Sequence, residues 1–288
     1  MNEKKGPDNL RVTGLFSYPV KGCRAIAHLH ADLATSGLKH DREWMVVDAR
    51  QTPATFLSQR ECTIMATLAV TVAAGGGLIF TDCVGETLNV PAPASGALLP
   101  VRVWNHETVA LDAGNAASTW LSAKLGMAIG ALRLVRFSPQ MRRDCSAQYS
   151  GDSSAHTFFA DGFPLLVTSD ASMANLNARM GRIEKNAMPM NRFRPNIVVE
   201  GLPAWDEDHV DTLGIGEVKI KLVKPCVRCQ VTTTDQASGV RLSDEPLNTL
   251  AKFRNNPDFG GVTFGWNAVV IKPGRVSLSD PVVAEYRF

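Results

Sequence analysis

Apolar positions along this chain fall in short runs broken by turn residues, and many runs are β-branched. Leu15-Phe16-Ser17-Tyr18-Pro19-Val20-Lys21-Gly22-Cys23 reads as a strand running into a turn. A second apolar run, Trp44 to Val47, follows the charged cluster His40-Asp41-Arg42-Glu43. Leu68, Val70 and Val72 alternate with small or polar residues, then three glycines precede Leu78-Ile79-Phe80, which predicts a hairpin. Val101 to Trp104 and Val109 to Leu111 flank Asn105-His106-Glu107-Thr108, a second hairpin. Asn115 is placed to cap a short helix carrying Trp120, Leu121 and Leu125, ended by Gly126. Leu134 to Phe137 predicts another strand, and the polar stretch Ser138 to His156 an exposed loop.

The second half opens with the apolar Phe163 to Val167. A helix follows, with Ser169 or Asp170 as cap and Met173, Leu176 and Met180 on one face. Phe193 to Val199, Val218 to Val223 and Gln230 to Thr234 all read as strands from their β-branched density. Pro246 suits the first turn of a helix with Leu247, Leu250 and Phe253. The end is β again, Val262 to Lys272 and Val276 to Tyr286, around a Pro273-Gly274 turn. Many short strands with few helices predict a mainly β fold with added helices (α+β), a barrel or sandwich. The expected division is a flexible tail over 1–9, a β-rich region over 10–137, a loop or linker over 138–156, and a β-barrel domain over 157–288.

Composition narrows the class. With 288 residues, 45% hydrophobic and 20% charged, the chain can bury a sizeable core without a staple. A net charge of +2 with interspersed signs argues against a nucleic-acid partner. Six scattered cysteines do not make a disulfide scaffold. The first residues lack an apolar signal region, and the longest apolar candidate, Leu68 to Phe80, is broken by glycines. A cytoplasmic protein with no membrane partner is the expectation.

Chemistry concentrates in Pro225-Cys226-Val227-Arg228-Cys229. Two cysteines so spaced can share a zinc, form a redox pair, or supply one thiolate to a soft metal. Zinc needs further ligands, and neither a second C-x-x-C nor a partner for His209 is evident. A thioredoxin-like pair starts a helix, which Val231-Thr232-Thr233-Thr234 disfavours. Two small buried residues remain a third reading, against which Arg228 argues, because a cation beside a thiol favours thiolate. Arg192 and Arg194, on a strand, would share one face and suit a phosphate or carboxylate. Lys21, Arg42 and Gln59-Arg60 each fit surface solvation when taken singly. His28, His30, His106, His156 and His209 have no ligand spacing, and no phosphate loop, nucleophile elbow or H-E-x-x-H occurs. No pyridoxal-phosphate-type anion pocket is expected.

The segments in order resemble the MOSC family. They are Tyr18 to Cys23, Asp41-Arg42-Glu43-Trp44, Phe56 to Arg60, Phe163 to Leu166, Phe193 to Asn196, Ile215 to Val218, Pro225 to Cys229 and Pro273 to Val276. Within that family the chain looks most like the amidoxime-reducing and YcbX-type branch, which joins an N-terminal β-rich MOSC_N region to a MOSC β-barrel. The resemblance implies that Cys229 binds molybdenum as the catalytic ligand. It implies that Lys21, Gly22, Arg42, Arg194, Asn196, Val227 and Arg228, with Arg192 added from its charge, surround a molybdenum cofactor. Gly22 and Val227 stand where animal members carry serines, which leaves only their backbone amides. No cysteine follows Cys229, so no iron–sulfur cluster is expected within this chain.

Two functions follow from that likeness. One is reduction of small N-hydroxylated substrates, with electrons from an external flavin reductase or ferredoxin-type protein. The other is a carrier of cofactor, or of sulfur as a persulfide on Cys229.

Overall fold

The computed structural model describes residues 9–151 and 153–287; the tail expected over 1–9 lies, apart from Asn9, outside the described residues. The strands Leu98–Val103, His106–Asp112, Leu132–Phe137, Trp44–Asp48 and Ala54–Phe56 close into a barrel. The unbroken apolar run at Trp44 has a simple cause. Met45 and Val47 point into the barrel core with Val101, Ala110 and Phe137. Trp44 and Val46 point the other way, into a second core with Leu68, Phe80, Leu121 and Leu134. Period-two side chains thus serve two cores, so every position is apolar. The hairpin Ala69–Val72 with Leu78–Thr81 and the helix Asn115–Lys124 cover that second core.

A nine-stranded sheet forms most of the rest. Its main path runs Ile26–Ala27, Arg11–Ser17, Ile197–Glu200, Leu165–Ser169, Gly261–Lys272, Val218–Val227, Val210–Ile215 and Val282–Tyr286. The chain entering its last strand returns to the start of Arg11–Ser17: Val12 N donates to Asp280 O at 3.1 Å and Val282 N to Leu10 O at 2.8 Å. The sheet therefore wraps one apolar core containing Leu15, Val167, Ile197, Ile220 and Val270. The mainly β architecture with a few helices is as the sequence pattern predicts, and no helix among the described residues is long and apolar enough to cross a membrane.

Several local expectations change. Arg11–Ser17 pairs with Ile197–Glu200 in the large sheet, and His30–Ala34 pairs with Gly274–Ser277 in a separate three-stranded sheet, so the start of the chain packs with strands of the second half. Ser138 to His156 carries the short helix Ala147–Ser150, and Arg143 and Cys145 within it are buried. The helix Asn115–Lys124 is preceded by Gly114 at φ 91°, and Asn115 bonds Arg133 instead of capping. The second hairpin turns at Trp104-Asn105, with Trp104 at φ 55°. The helix Asp170–Arg179 is as expected, with Ser169 Oγ accepting from Ser172 N.

Two segments beside the site are turns where strands were expected. Gln230–Thr233 is a 3₁₀ turn, not a strand. Thr232 and Thr233 hydroxyls donate to Cys229 O and Gln230 O, three residues back, which satisfies the turn locally. Met190–Phe193 is also a 3₁₀ turn, and Arg194 follows in the left-handed region at φ 57°, ψ 49°. Arg192 and Arg194 therefore share no strand face.

Candidate functional site

One cavity of about 370 Å³ lies on the seam between the barrel and the large sheet. Lys21, Gly22 and Arg42 reach it from the N-terminal turns, Phe56, Ser58, Gln59, Arg60 and Trp104 from the barrel side, and Arg194, Asn196 and Pro225 to Cys229 from the sheet. The pentad arrives there through irregularity. The strand Val218–Val227 slips register between Leu222 and Lys224 and again between Pro225 and Val227. A bulge tolerates Pro225, which has no N–H for the ladder, and re-aims the residues after it. Cys229 then stands at the start of the 3₁₀ turn, half-buried, and both cysteines line the cavity.

Lys21 is buried and already engaged. Its ammonium donates to Phe159 O at 2.8 Å and Asp161 Oδ1 at 2.5 Å. Burial lowers the lysine pKa, while Asp161 opposes that shift. Trp104 Nε1 donates to the same Oδ1 at 3.0 Å. The Asp161 side chain is 74% exposed and marks the cavity mouth. Desolvation by the protein atoms around it pushes its carboxyl up, but Lys21 and the Trp104 N–H outweigh that and hold it below the usual range. Arg143 braces this loop through Phe158 O and Asp161 O.

A second cluster lies deeper. Arg42 donates to Asp41 Oδ2 at 2.5 Å and Asn196 Oδ1 at 3.0 Å. The guanidinium carbons of Arg42 and Arg194 lie 4.1 Å and 4.2 Å from the Tyr18 ring centre. Burial pushes Tyr18 up to about 12, so its hydroxyl stays protonated and donates to Pro195 O at 3.0 Å. Asn196 is fully used by the protein. Its Nδ2 donates to Phe16 O and Asp41 Oδ1, and its Oδ1 accepts from Arg42 and Leu166 N. An amide free to read a ligand edge is therefore not what Asn196 offers; it joins three segments under the cavity.

Arg192 is absent from the cavity lining. Its fork donates to Thr233 O at 2.8 Å and Asp235 Oδ2 at 3.1 Å, bracing the turn after Cys229. Gly22 takes φ 88°, with a Cβ there meeting Met65 Cε at 3.0 Å, and its carbonyl accepts from Gln59 Nε2 at 2.7 Å. Gln59 and Gln236 exchange amide hydrogen bonds at 3.0 and 2.8 Å, tying the two halves of the chain together beside the cavity. Arg228 donates to Cys226 Sγ at 2.8 Å and Phe193 O at 2.6 Å.

The MOSC domain matches residues 154–283, and the MOSC N-terminal beta barrel domain matches residues 9–128. Mitochondrial amidoxime-reducing component 1 of Mus musculus is 32% identical over 94% of this chain and 81% of its own. The human component 1 and component 2 are each 33% identical over 94% of this chain and 82% of their own. The chain belongs to the MOSC family.

MOSC family members are associated with a molybdenum cofactor, and the donor set here can be tested for fit. Among the described residues no three His, Cys, Asp or Glu side chains gather as a metal site. A metal on Cys229 would need its other ligands from an organic group. The cavity suits an anionic one. Arg228 Nε is buried without a hydrogen-bond partner among the described residues. Among the described residues the Arg194 side chain hydrogen-bonds only the neutral Gln236 amide, and burial pushes its pKa down to about 10. Two guanidiniums held without a carboxylate are costly until an anion reaches them. The residues fit.

Asp161, Trp104, Gln236, Arg143 and Lys224 were not evident as site residues from the sequence. Asp161 carries one weak signal: it is a lone acid within the apolar stretch Phe158 to Leu166.

Proposed function

We propose that this MOSC chain reduces N-hydroxylated compounds, such as amidoximes, hydroxylamines and N-hydroxylated bases, with a molybdenum cofactor. The carrying observation is Cys229 in a cavity where Arg194 and Arg228 lack a carboxylate partner. Likeness to amidoxime-reducing components over nearly the whole chain supports the substrate class.

In this reading Cys229 is the thiolate ligand. Arg194 and Arg228 meet the anionic end of the cofactor, with Arg42 and the third N–H of Lys21 beside them. The backbone amides of Gly22 and Val227 stand in for absent side-chain donors. Asn196 keeps Arg42 and the strand at Leu166 in place. Phe56, Phe163 and Leu166 line the cavity and exclude water. When bound, the cofactor would supply the two-electron redox chemistry that cleavage of the N–O bond requires. The net change is N–OH plus two electrons and two protons to N–H plus water. A separate flavin reductase or ferredoxin-type protein supplies the electrons.

The test is direct. The protein is purified from cells able to make the cofactor, and molybdenum and pterin are measured per chain. Chemically reduced protein is then offered benzamidoxime. Molybdenum with turnover is the expected result. Zinc in place of molybdenum overturns the reading, and molybdenum without turnover leaves a carrier.

A further inference from the structure

The charges of the cavity do not balance. Asp161 is the one carboxylate among its lining residues, and Lys21 matches it. Arg42 is paired with Asp41. Arg194 and Arg228 are taken up by the anion of the proposed cofactor. Arg60 and Lys224 remain, each without an ion pair among the described residues.

Arg60 is held in a particular place. Its guanidinium carbon lies 4.4 Å from the ring centre of Trp104. Trp104 is itself fixed at the mouth: Nε1 bonds Asp161, and Phe56 packs against it edge-on with ring centres 5.0 Å apart. The indole sits at a hairpin tip at φ 55°, a conformation that Gly or Asn would adopt at less cost. A stacked guanidinium keeps its N–H edges free for an acceptor. Lys224 adds a second cation, resting over the Tyr149 ring at 4.6 Å.

We propose that Arg60 selects N-hydroxylated substrates carrying an anionic group, a carboxylate or a phosphate, and that Trp104 positions Arg60 to do so. This rests on the reductase reading of the same cavity. Lys224 strengthens the local positive field without fixing direction, since an ammonium is a point charge and a guanidinium a planar fork. The aromatic side chains Phe56, Trp104 and Phe163 favour a flat body between the anion and the reacting N–OH.

The experiment compares benzamidoxime with its para-carboxylate and para-phosphonate, using the full-length purified protein. Wild type should favour the anionic substrates through KM. Arg60→Ala should raise KM for the preferred anion about tenfold, the loss of roughly one charge-assisted hydrogen bond, with kcat nearly unchanged. KM for benzamidoxime should hold, and Arg60→Lys should recover part of the preference. Trp104→Ala should weaken the same preference while Arg60 is present. The two anions show which head group the fork takes. A wild type indifferent to charge, or equal KM increases for neutral and anionic substrates in Arg60→Ala, overturns the proposal. If no amidoxime is reduced, the reductase reading fails, and calorimetric titration of both anionic amidoximes into wild type and Arg60→Ala decides. Weaker binding to the variant upholds the anion site, and equal binding overturns it.

Discussion

Arg228 places Nη1 2.8 Å from Cys226 Sγ and makes no hydrogen bond to the sulfur of Cys229. The two cysteines, three apart in sequence, therefore occupy different environments. Cys226 is tied to a guanidinium that also holds Phe193 O, while the Cys229 sulfur has no protein partner among the described residues. Cys229→Ala should lose bound molybdenum and amidoxime reduction together. Cys226→Ala should keep most of the metal. Metal content per chain distinguishes these, and equal loss in both variants would mean the pair acts as a unit.

Arg192 and Arg194 should separate in their effects. Arg192→Ala frees Thr233 O and Asp235 and leaves the turn after Cys229 unbraced. It should cost about 1–3 kcal/mol of stability, read by denaturant unfolding, and spare the pterin content of the folded protein. Arg194→Ala should lower pterin content with a smaller stability change. A reversed pattern would return Arg192 to the site.

Asn196→Ala should act mainly on stability. Four hydrogen bonds end on this side chain, which is 1% exposed, and their loss leaves Asp41, Leu166 N and Phe16 O short of a partner. A loss of roughly 3 kcal/mol or more is expected, seen as a lower denaturant midpoint without change in slope. A stable variant that merely binds cofactor weakly would contradict the scaffold role.

Glu207 sets a pH dependence away from the cavity. Burial pushes its pKa up to about 7, with Ser172 opposing through a 2.7 Å hydrogen bond, and its Oε1 has no partner. The folded state thus holds the proton more tightly than the unfolded chain. Its contribution is full below the unfolded value near 4.5 and is lost as pH rises toward 7, by roughly 3 kcal/mol in all. Glu207→Gln should flatten the stability-versus-pH curve over that window. A curve identical to wild type would place the titration elsewhere.

Much of the fold was legible because strand patterns are local. The alternation at Leu68, Val70 and Val72 and the Ser169 cap need only neighbouring residues to be read. The 3₁₀ turn after Cys229 was not legible. β-branching at Thr232 and Thr233 suggests a strand, yet their hydroxyls bond back to the preceding carbonyls. Arg192 failed for a related reason: the left-handed backbone at Arg194 breaks the alternation on which a shared face depends.

The sequence by itself determined the β-rich class, the turns that end its strands, and the ordered motifs that bring lysine, arginines and cysteines to one family pattern. Only the tertiary structure decided how those groups divide their work. It set Lys21 against Asp161, 140 residues away, filled every hydrogen bond of Asn196, turned Arg192 out of the cavity, and gave Arg228 to Cys226. Periodicity reports which way a side chain leaves the backbone. Which donor meets which acceptor is settled by burial and distance between segments remote in the chain, where an unmet polar group is costly.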